Sequence, residues 1–410
     1  MIRPTMHRPP LRLLLLALWS LLFVPCRGAD WLQFRGPSGA GVADPSETSV
    51  PVTFNPGSVA WKLPLPGRGL SSPIVIGNQV VVTCSSGPDQ DRLHIFAIDA
   101  ATGKVRWERR FRSTGRTMTH SKTNVAAPTP CSDGSRIFAL FSTNDLFCLD
   151  LQGNLLWLRG LTFDYPNASN SLGLASSPLV TENTLVIQSE NDSESFVAGL
   201  SVEDGSNRWI KPRRKAANWT SATVLKGNPT TVALQSTSGI LGIAPATGSE
   251  LWEYRDGAST IPSAALSGAT LYVPSFGLTA LQFDGGTVKK IWRNEQARPK
   301  TSSPVADDGR IYFPEGGVVT AVRADNGERL WKTRVQGDFS ASPVIANGHL
   351  YLFSENGTGF VIPVGPEVKE PAVSGQIELN EQVLCTPAIS GGAIYVRSDA
   401  HLWKLSSPAS

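Results

Sequence analysis

The sequence predicts an all-β fold: an eight-bladed β-propeller of four-stranded antiparallel blades, closed by an N-terminal strand that joins the last blade. Three observations predict it. Two small residues followed by Pro or Ala and then an apolar strand occur eight times: Ser71-Ser72-Pro73, Ala126-Ala127-Pro128, Ser176-Ser177-Pro178, Thr220-Ser221-Ala222, Pro262-Ser263-Ala264, Ser302-Ser303-Pro304, Ala341-Ser342-Pro343 and Cys385-Thr386-Pro387. The copies recur at intervals of 39 to 55 residues, the period of a propeller blade or a related array. Between them 38 Gly and 30 Pro punctuate short apolar runs, with no sustained helical periodicity after the first 25 residues.

Residues 1–28 read as a secretory leader. Arg3, Arg8 and Arg12 precede the apolar run Leu13 to Val24, and Pro25-Cys26-Arg27-Gly28 follows. Twelve apolar residues fall short of the roughly 20 that cross a bilayer as a helix. Cleavage after Gly28 puts Cys26 at the −3 position and satisfies the small-x-small rule, whereas cleavage after Ala29 would put Arg27 there. An uncleaved anchor and a lipid-modified Cys26 stand as alternatives. The leader carries four Arg and no acid, so its removal takes the formal charge from +3 to about −1. Net charge therefore gives no reason to expect a nucleic-acid partner. The expected product is an exported monomer of the periplasm or extracellular space, with association to the cell envelope left open. Residues 29–56 form an N-terminal extension and the repeats fill 57–407, which leaves no room for a second globular domain.

The first repeat shows the blade most plainly. Ser71 to Val75 meets a turn at Gly77-Asn78, Gln79 to Thr83 returns, and Leu93 to Ile98 leads through Asp99-Ala100-Ala101-Thr102-Gly103 to Trp107. Short apolar runs separated by turn residues predict an antiparallel meander. Asp99 is placed to accept backbone N–H groups in an Asx-type turn, and Gly103 to take the positive φ of the reversal. Gly stands four residues before Trp again at Trp157, Trp209, Trp252 and Trp331, while Trp292 follows a displaced turn at Asp284-Gly285-Gly286. A large ring at a fixed place can pack against the next blade, so these tryptophans are assigned as structural, each contributing roughly 2–3 kcal/mol by burial. Repeat seven has no such Trp, and repeat eight, Cys385 to Leu405, stops after three strands. Val59-Ala60-Trp61-Lys62-Leu63 is expected to supply the fourth, with Trp61 as its docking ring, so that the termini meet in one blade and leave no free edge.

Ala97-x-Asp99-x-x-Thr102-Gly103-x-x-x-Trp107 resembles the tryptophan-docking motif of the pyrroloquinoline quinone (PQQ) repeat, and about 85 per cent of the chain resembles the PQQ-binding-like β-propeller family. The resemblance implies eight blades and admits both quinoprotein dehydrogenases and non-enzymatic members such as the outer-membrane assembly factor BamB. Asp30-Trp31-Leu32-Gln33-Phe34-Arg35-Gly36-Pro37 and Thr119-His120-Ser121-Lys122-Thr123-Asn124 resemble a branch of exported proteins from planctomycete-type bacteria. Such motifs specify fold and leave function open. The dehydrogenases of the family use a vicinal Cys-Cys pair over the cofactor and Ca²⁺ held by carboxylate and amide side chains beside a catalytic Asp. Here there is no Cys-Cys and no c-type haem motif, and no catalytic residue carries across by motif.

Two loops hold the candidate binding residues. Arg112, Arg116, His120, Lys122 and Asn124 lie between the first two blades in an otherwise uncharged stretch. Loops of this length are often functional, and cations with amides suit an anionic group or a partner's acidic face; a solvated connection is the alternative. Arg213, Arg214 and Lys215, after Lys211-Pro212 and before Asn218-Trp219, lie between blades three and four. Both loops follow a docking tryptophan and precede an inner strand, so both belong to one face. Aromatic interleaving is too thin for nucleic acid.

Cys84, Cys131, Cys148 and Cys385 remain after the leader, either as buried thiols or, in an oxidising compartment, as disulfides. Their spacing matches no zinc or haem motif. His94, His349 and His401 stand alone, so no metal site is expected. GxSxG, Walker A and HExxH patterns are absent from the sequence. The expected function is a non-enzymatic binding or scaffolding propeller without a cofactor, acting on a protein partner or small molecule. A PQQ- and Ca²⁺-dependent oxidoreductase and a BamB-like assembly scaffold are the alternatives.

Overall fold

The computed structural model describes residues 28–168, 172–284 and 286–407. Among them, eight four-stranded antiparallel sheets follow one another in chain order. In the first blade Ile74–Ile76, Gln79–Ser86, Arg92–Asp99 and Val105–Arg112 run from the axis outward. Strands in the middle of a blade have a sheet on each side, and Gln79–Ser86 is accordingly buried at all positions but its last; the outer strand Val105–Arg112 alternates apolar with charged residues and stays largely accessible. The eighth blade combines Ala388–Ser390, Ala393–Arg397 and His401–Ser406 with Val59–Pro64, and Leu63 sits opposite Leu402. The ring thus closes as the sequence predicts.

The tryptophans act between blades. Trp61, Trp107, Trp157, Trp209 and Trp292 donate their indole N–H to the carbonyls of Ala100, Leu151, Val202, Pro245 and Ala324, at 3.2, 3.0, 3.1, 2.7 and 3.0 Å, each in the following blade. Beside these carbonyls the motif glycines Gly103, Gly153, Gly205, Gly248 and Gly327 have φ between +70° and +81°. A Cβ on any of them would lie 2.6–2.8 Å from the arriving indole. Each Gly therefore receives the Trp of the preceding blade while making the turn of its own. On its own blade the ring faces a small residue, as Ala97 opposite Trp107 and Gly199 opposite Trp209, with a bulge directly after. Where the turn is displaced, Trp252 instead stacks on Phe283, ring centroids 5.9 Å apart. Blade seven has no such turn between Thr358–Pro363 and Gly375–Glu378, and the buried Trp331 indole nitrogen has no hydrogen-bond partner among the described residues.

The small phrases form a second ring, around the axis. Ser72 N–H donates to Thr129 Oγ1, Thr129 to Ser177 Oγ, Ser177 to Ser221, Ser221 to Ser263, Ser263 to Ser303, Ser303 to Ser342 and Ser342 to Thr386, all at 2.9–3.0 Å. This run of bonds passes through all eight blades. Short side chains let eight strands converge at the axis, and their hydroxyls also satisfy buried amides that inner strands so short leave without ladder partners. In blade two the phrase is Thr129-Pro130, two residues beyond Ala127-Pro128, because only Thr129 carries the hydroxyl that the ring requires.

The N-terminal extension crosses one end of the channel. Trp31 pairs with Val75 of blade one, Leu32 accepts from Ser132 of blade two, and Ala43 and Gly41 bond Ile345 of blade seven. Arg35, 1 % exposed, donates to the carbonyls of Ala264 and Pro304 in blades five and six and of Ala40 in its own segment. Its guanidinium has no carboxylate partner among the described residues, and burial lowers its pKa to about 10. Glu47 fastens the segment to blade eight by accepting the Gly391 and Gly392 N–H groups at 2.8 and 2.7 Å.

Candidate functional site

The closed end leaves the channel open at the other, where it forms a cavity of about 380 Å³. Phe34 of the N-terminal segment is among its lining residues, and all eight hydroxyl residues of the inner ring form its wall. Two positions before each ring hydroxyl stands a residue of the rim: Leu70, Ala127, Ala175, Trp219, Ile261, Thr301, Ser340 and Leu384, every one of which lines the cavity. The wall is thus nearly invariant around the ring, and the rim varies from blade to blade. Large apolar side chains occupy the rim at blades eight and one (Leu384, Leu70) and, across the channel, at blades four and five (Trp219, Ile261). Small residues occupy the intervening blades. Two apolar walls facing each other over a floor of hydroxyls make a slot suited to a flat or apolar group with polar atoms at one edge. Trp219 is fixed there by its indole N–H on the Gly173 carbonyl, 2.8 Å, and Ile261 is half exposed.

The candidate loop residues divide into three groups. His120 and Lys122 line the mouth of this cavity, beside Thr123. The loop is braced there by His120 N–H on the Leu172 carbonyl, 3.1 Å. Lys122 reaches across to Glu355 of blade seven, Nζ to Oε1 2.9 Å, and Glu355 also accepts from Ser340 of the rim. Arg213 and Arg214 line a separate pocket of about 200 Å³ with Glu190, Asn218 and Glu253. There Arg213 pairs with the buried Glu190 at 2.7 Å, and Asn218 donates to the other Glu190 oxygen at 2.8 Å. Arg112 is paired with Asp91, whereas exposed Arg116, Arg214 and Lys215 make no ion pair among the described residues. Asn124 is fully buried, and neither its Oδ1 nor its Nδ2 has a hydrogen-bond partner among the described residues. The two loops are therefore brought to one face, with His120, Lys122 and Trp219 at one mouth, but Arg112, Lys122 and Arg213 are each held by a carboxylate and Arg213 and Arg214 line a separate pocket.

Sequence reasoning missed the rim positions and Phe34. The signal for the rim was present, since it lies at a fixed offset before each repeat phrase, yet the offset acquires meaning only once the hydroxyl ring fixes the register. Nothing in the sequence indicated that residues 30–50 cross the channel.

Titratable chemistry in the cavity is sparse: His120, Lys122 and Cys385 are its ionisable lining groups. Burial pushes the Cys385 thiol up to about 12, and its Sγ–H is directed to the Arg397 carbonyl at 2.6 Å. Cys84 and Cys148 are likewise pushed up to about 12 by burial, Cys131 is raised as well, and all four thiols are free. A Ca²⁺ ion takes six to eight oxygen ligands, largely carboxylates. Among the described residues the cavity lining contains no carboxylate or amide side chain, and that donor set does not fit a PQQ–Ca²⁺ pair of the dehydrogenase kind. The remaining histidines serve structure: His94 bridges Ser86 and Glu108 at 2.7 and 2.8 Å, and His349 contacts the Asn347 carbonyl at 2.7 Å.

Comparison with known proteins agrees with this architecture. The family model described as outer membrane protein assembly factor BamB matches residues 42–172, 114–270 and 275–363. No curated protein matches the chain in sequence. Among solved structures, BamB from Moraxella catarrhalis superposes with a TM-score of 0.62 at 13% identity, covering 86% of this chain and 98% of that one. A europium-containing methanol dehydrogenase gives 0.67 at 11% identity, covering 92% and 98%. A quinohemoprotein alcohol dehydrogenase from Pseudomonas putida HK5 gives 0.70 at 11% identity, covering 93% and 81%. At these identities the structures establish the shared fold alone.

Proposed function

The chain belongs to the PQQ-type propeller family described as outer membrane protein assembly factor BamB, and from that premise we propose that it is an exported, non-enzymatic binding module that works through the open mouth of its channel. The observation that supports this most is the double ring. An invariant hydroxyl wall carries a variable rim, and the rim places Trp219 and Ile261 opposite Leu70 and Leu384. Burying a flat or apolar group between those walls supplies binding free energy at about 25 cal/mol per Å², while His120 and Lys122 at the mouth and the hydroxyls below orient its polar edge. Among the described residues the lining supplies His120, Lys122 held by Glu355, and a thiol whose pKa is raised by burial, a set that lends little support to proton or group transfer. A scaffold role in the envelope, presenting the mouth to a protein client, draws support from the family; a PQQ oxidoreductase draws support only from the common fold.

The test is turnover. Purified mature protein, supplied with PQQ, Ca²⁺, an artificial electron acceptor and a panel of alcohols and sugars, is expected to leave the acceptor oxidised. Saturable reduction that Trp219→Ala abolishes would overturn the non-enzymatic reading.

A further inference from the structure

We propose that the Gly28–Ala29 bond is a maturation site, and that the α-ammonium released on Ala29 pairs with the buried carboxylate of Glu47, locking the N-terminal segment across the closed end of the channel. The proposal rests on the export reading above and adds a structural role for the new terminus.

Glu47 is 3 % exposed. Its carboxylate accepts three backbone N–H groups: Gly391 and Ala29 on Oε1 at 2.8 and 3.0 Å, and Gly392 on Oε2 at 2.7 Å. All three donors are neutral in the uncut chain, and Glu47 has no ion-pair partner among the described residues. Buried charges are ordinarily paired. Hydrolysis of Gly28–Ala29 supplies the missing cation at the place where it is needed. Water adds across the amide, the C–N bond breaks, Gly28 keeps the oxygen as a carboxylate, and the Ala29 nitrogen takes up the protons to become an α-ammonium. That nitrogen already lies 3.0 Å from Oε1, so a neutral hydrogen bond becomes a charge-assisted one without movement of the chain. Gly28 is the tightest point of this approach, because a Cβ there would lie 2.0 Å from the Gly391 nitrogen. The locked segment is the one that carries Phe34 and Arg35 under the channel, so processing reinforces the closed floor.

The experiment begins with the full chain expressed with its own leader in an exporting bacterium, followed by N-terminal sequencing and intact mass. A mature start at Ala29 is expected. A start at Cys26 with attached lipid, or at Asp30 or beyond, overturns the proposal while leaving export standing; an intact leader overturns both. Next, mature protein is compared with an Nα-acetylated form, each with and without Glu47→Gln. The ion pair requires Glu47→Gln to lower the Tm of the free-amine form by about 2 °C or more beyond its effect on the acetylated form, and equal effects overturn it. Should Glu47→Gln fail to fold, amine labelling of the native wild type decides: several-fold protection of the α-amine relative to urea-unfolded chain is expected, and labelling at equal rates overturns the pairing.

Discussion

Trp107→Ala tests the interblade docking at its simplest site. The indole lies over Gly153 of the next blade and donates to the Leu151 carbonyl at 3.0 Å. Removing this largely buried ring forfeits about 2–3 kcal/mol of apolar burial, and the lost hydrogen bond adds about 1 kcal/mol. The sum falls within the range of about 3–5 kcal/mol typical of Trp→Ala. Gly153→Ala attacks the same contact from the other side. Its φ is +81° and its new Cβ would lie 2.6 Å from the indole, so it costs more than the roughly 1 kcal/mol of an ordinary Gly→Ala mismatch. With Trp107 already removed, the clash vanishes and only backbone strain is left, so the double variant is less destabilised than the two singles together. Urea unfolding followed by far-UV circular dichroism reads all three without relying on the fluorescence of the mutated ring. An unchanged midpoint for Trp107→Ala, or strict additivity in the cycle, would refute the relay from Trp to the next blade's Gly.

Three further predictions concern the ring and its closure. Burial tends to raise the Glu381 pKa, but hydrogen bonding from Ser398 together with His401 and Lys62 outweighs it and holds the carboxyl at about 2. A folded pKa below the unfolded value near 4.3 gives stability that is present above that value and lost as pH falls toward 2. Glu381→Gln should therefore destabilise by on the order of 2 kcal/mol at pH 7, with the difference from wild type gone near pH 2; a pH-independent difference counts against the closure network. Ser263→Ala removes the acceptor of the buried Ser221 N–H, 3.0 Å away, and should cost about 1–3 kcal/mol by the same urea assay; no cost would mean that the hydroxyl ring is ornamental. Because burial raises the thiol pKa values, the four cysteines should resist a thiol reagent at pH 8 in the native protein and all react in urea, and rapid native labelling would contradict their burial.

The fold was legible because its repeat is written three times over in five of the eight blades: in the small phrase, in the Gly turn and in the Trp. Each is a steric demand that few residues meet, as the positive φ of Gly103 and the indole above it show. Closure was legible from Trp61, a docking ring standing before the first repeat. The site was legible only in part. Loop cations drew attention to His120 and Lys122, which do reach the mouth, and equally to Arg112 and Arg213, which are held by local carboxylates. Charge in a sequence does not disclose its counter-ion, since Asp91 and Glu190 are near in space through the blade and unremarkable in the chain. Likewise the rim residues Leu70, Trp219, Ile261 and Leu384 read as ordinary apolar positions until the axis of the propeller gathers them.

The most direct measurement is a tryptophan-fluorescence titration of the mature protein with PQQ, with and without Ca²⁺, read at the mouth through Trp219. A channel whose described lining residues include no carboxylate is predicted to give no Ca²⁺-dependent change. Saturable, Ca²⁺-dependent quenching at micromolar PQQ, lost in Trp219→Ala, would contradict the binding-module reading and make the cavity a cofactor site.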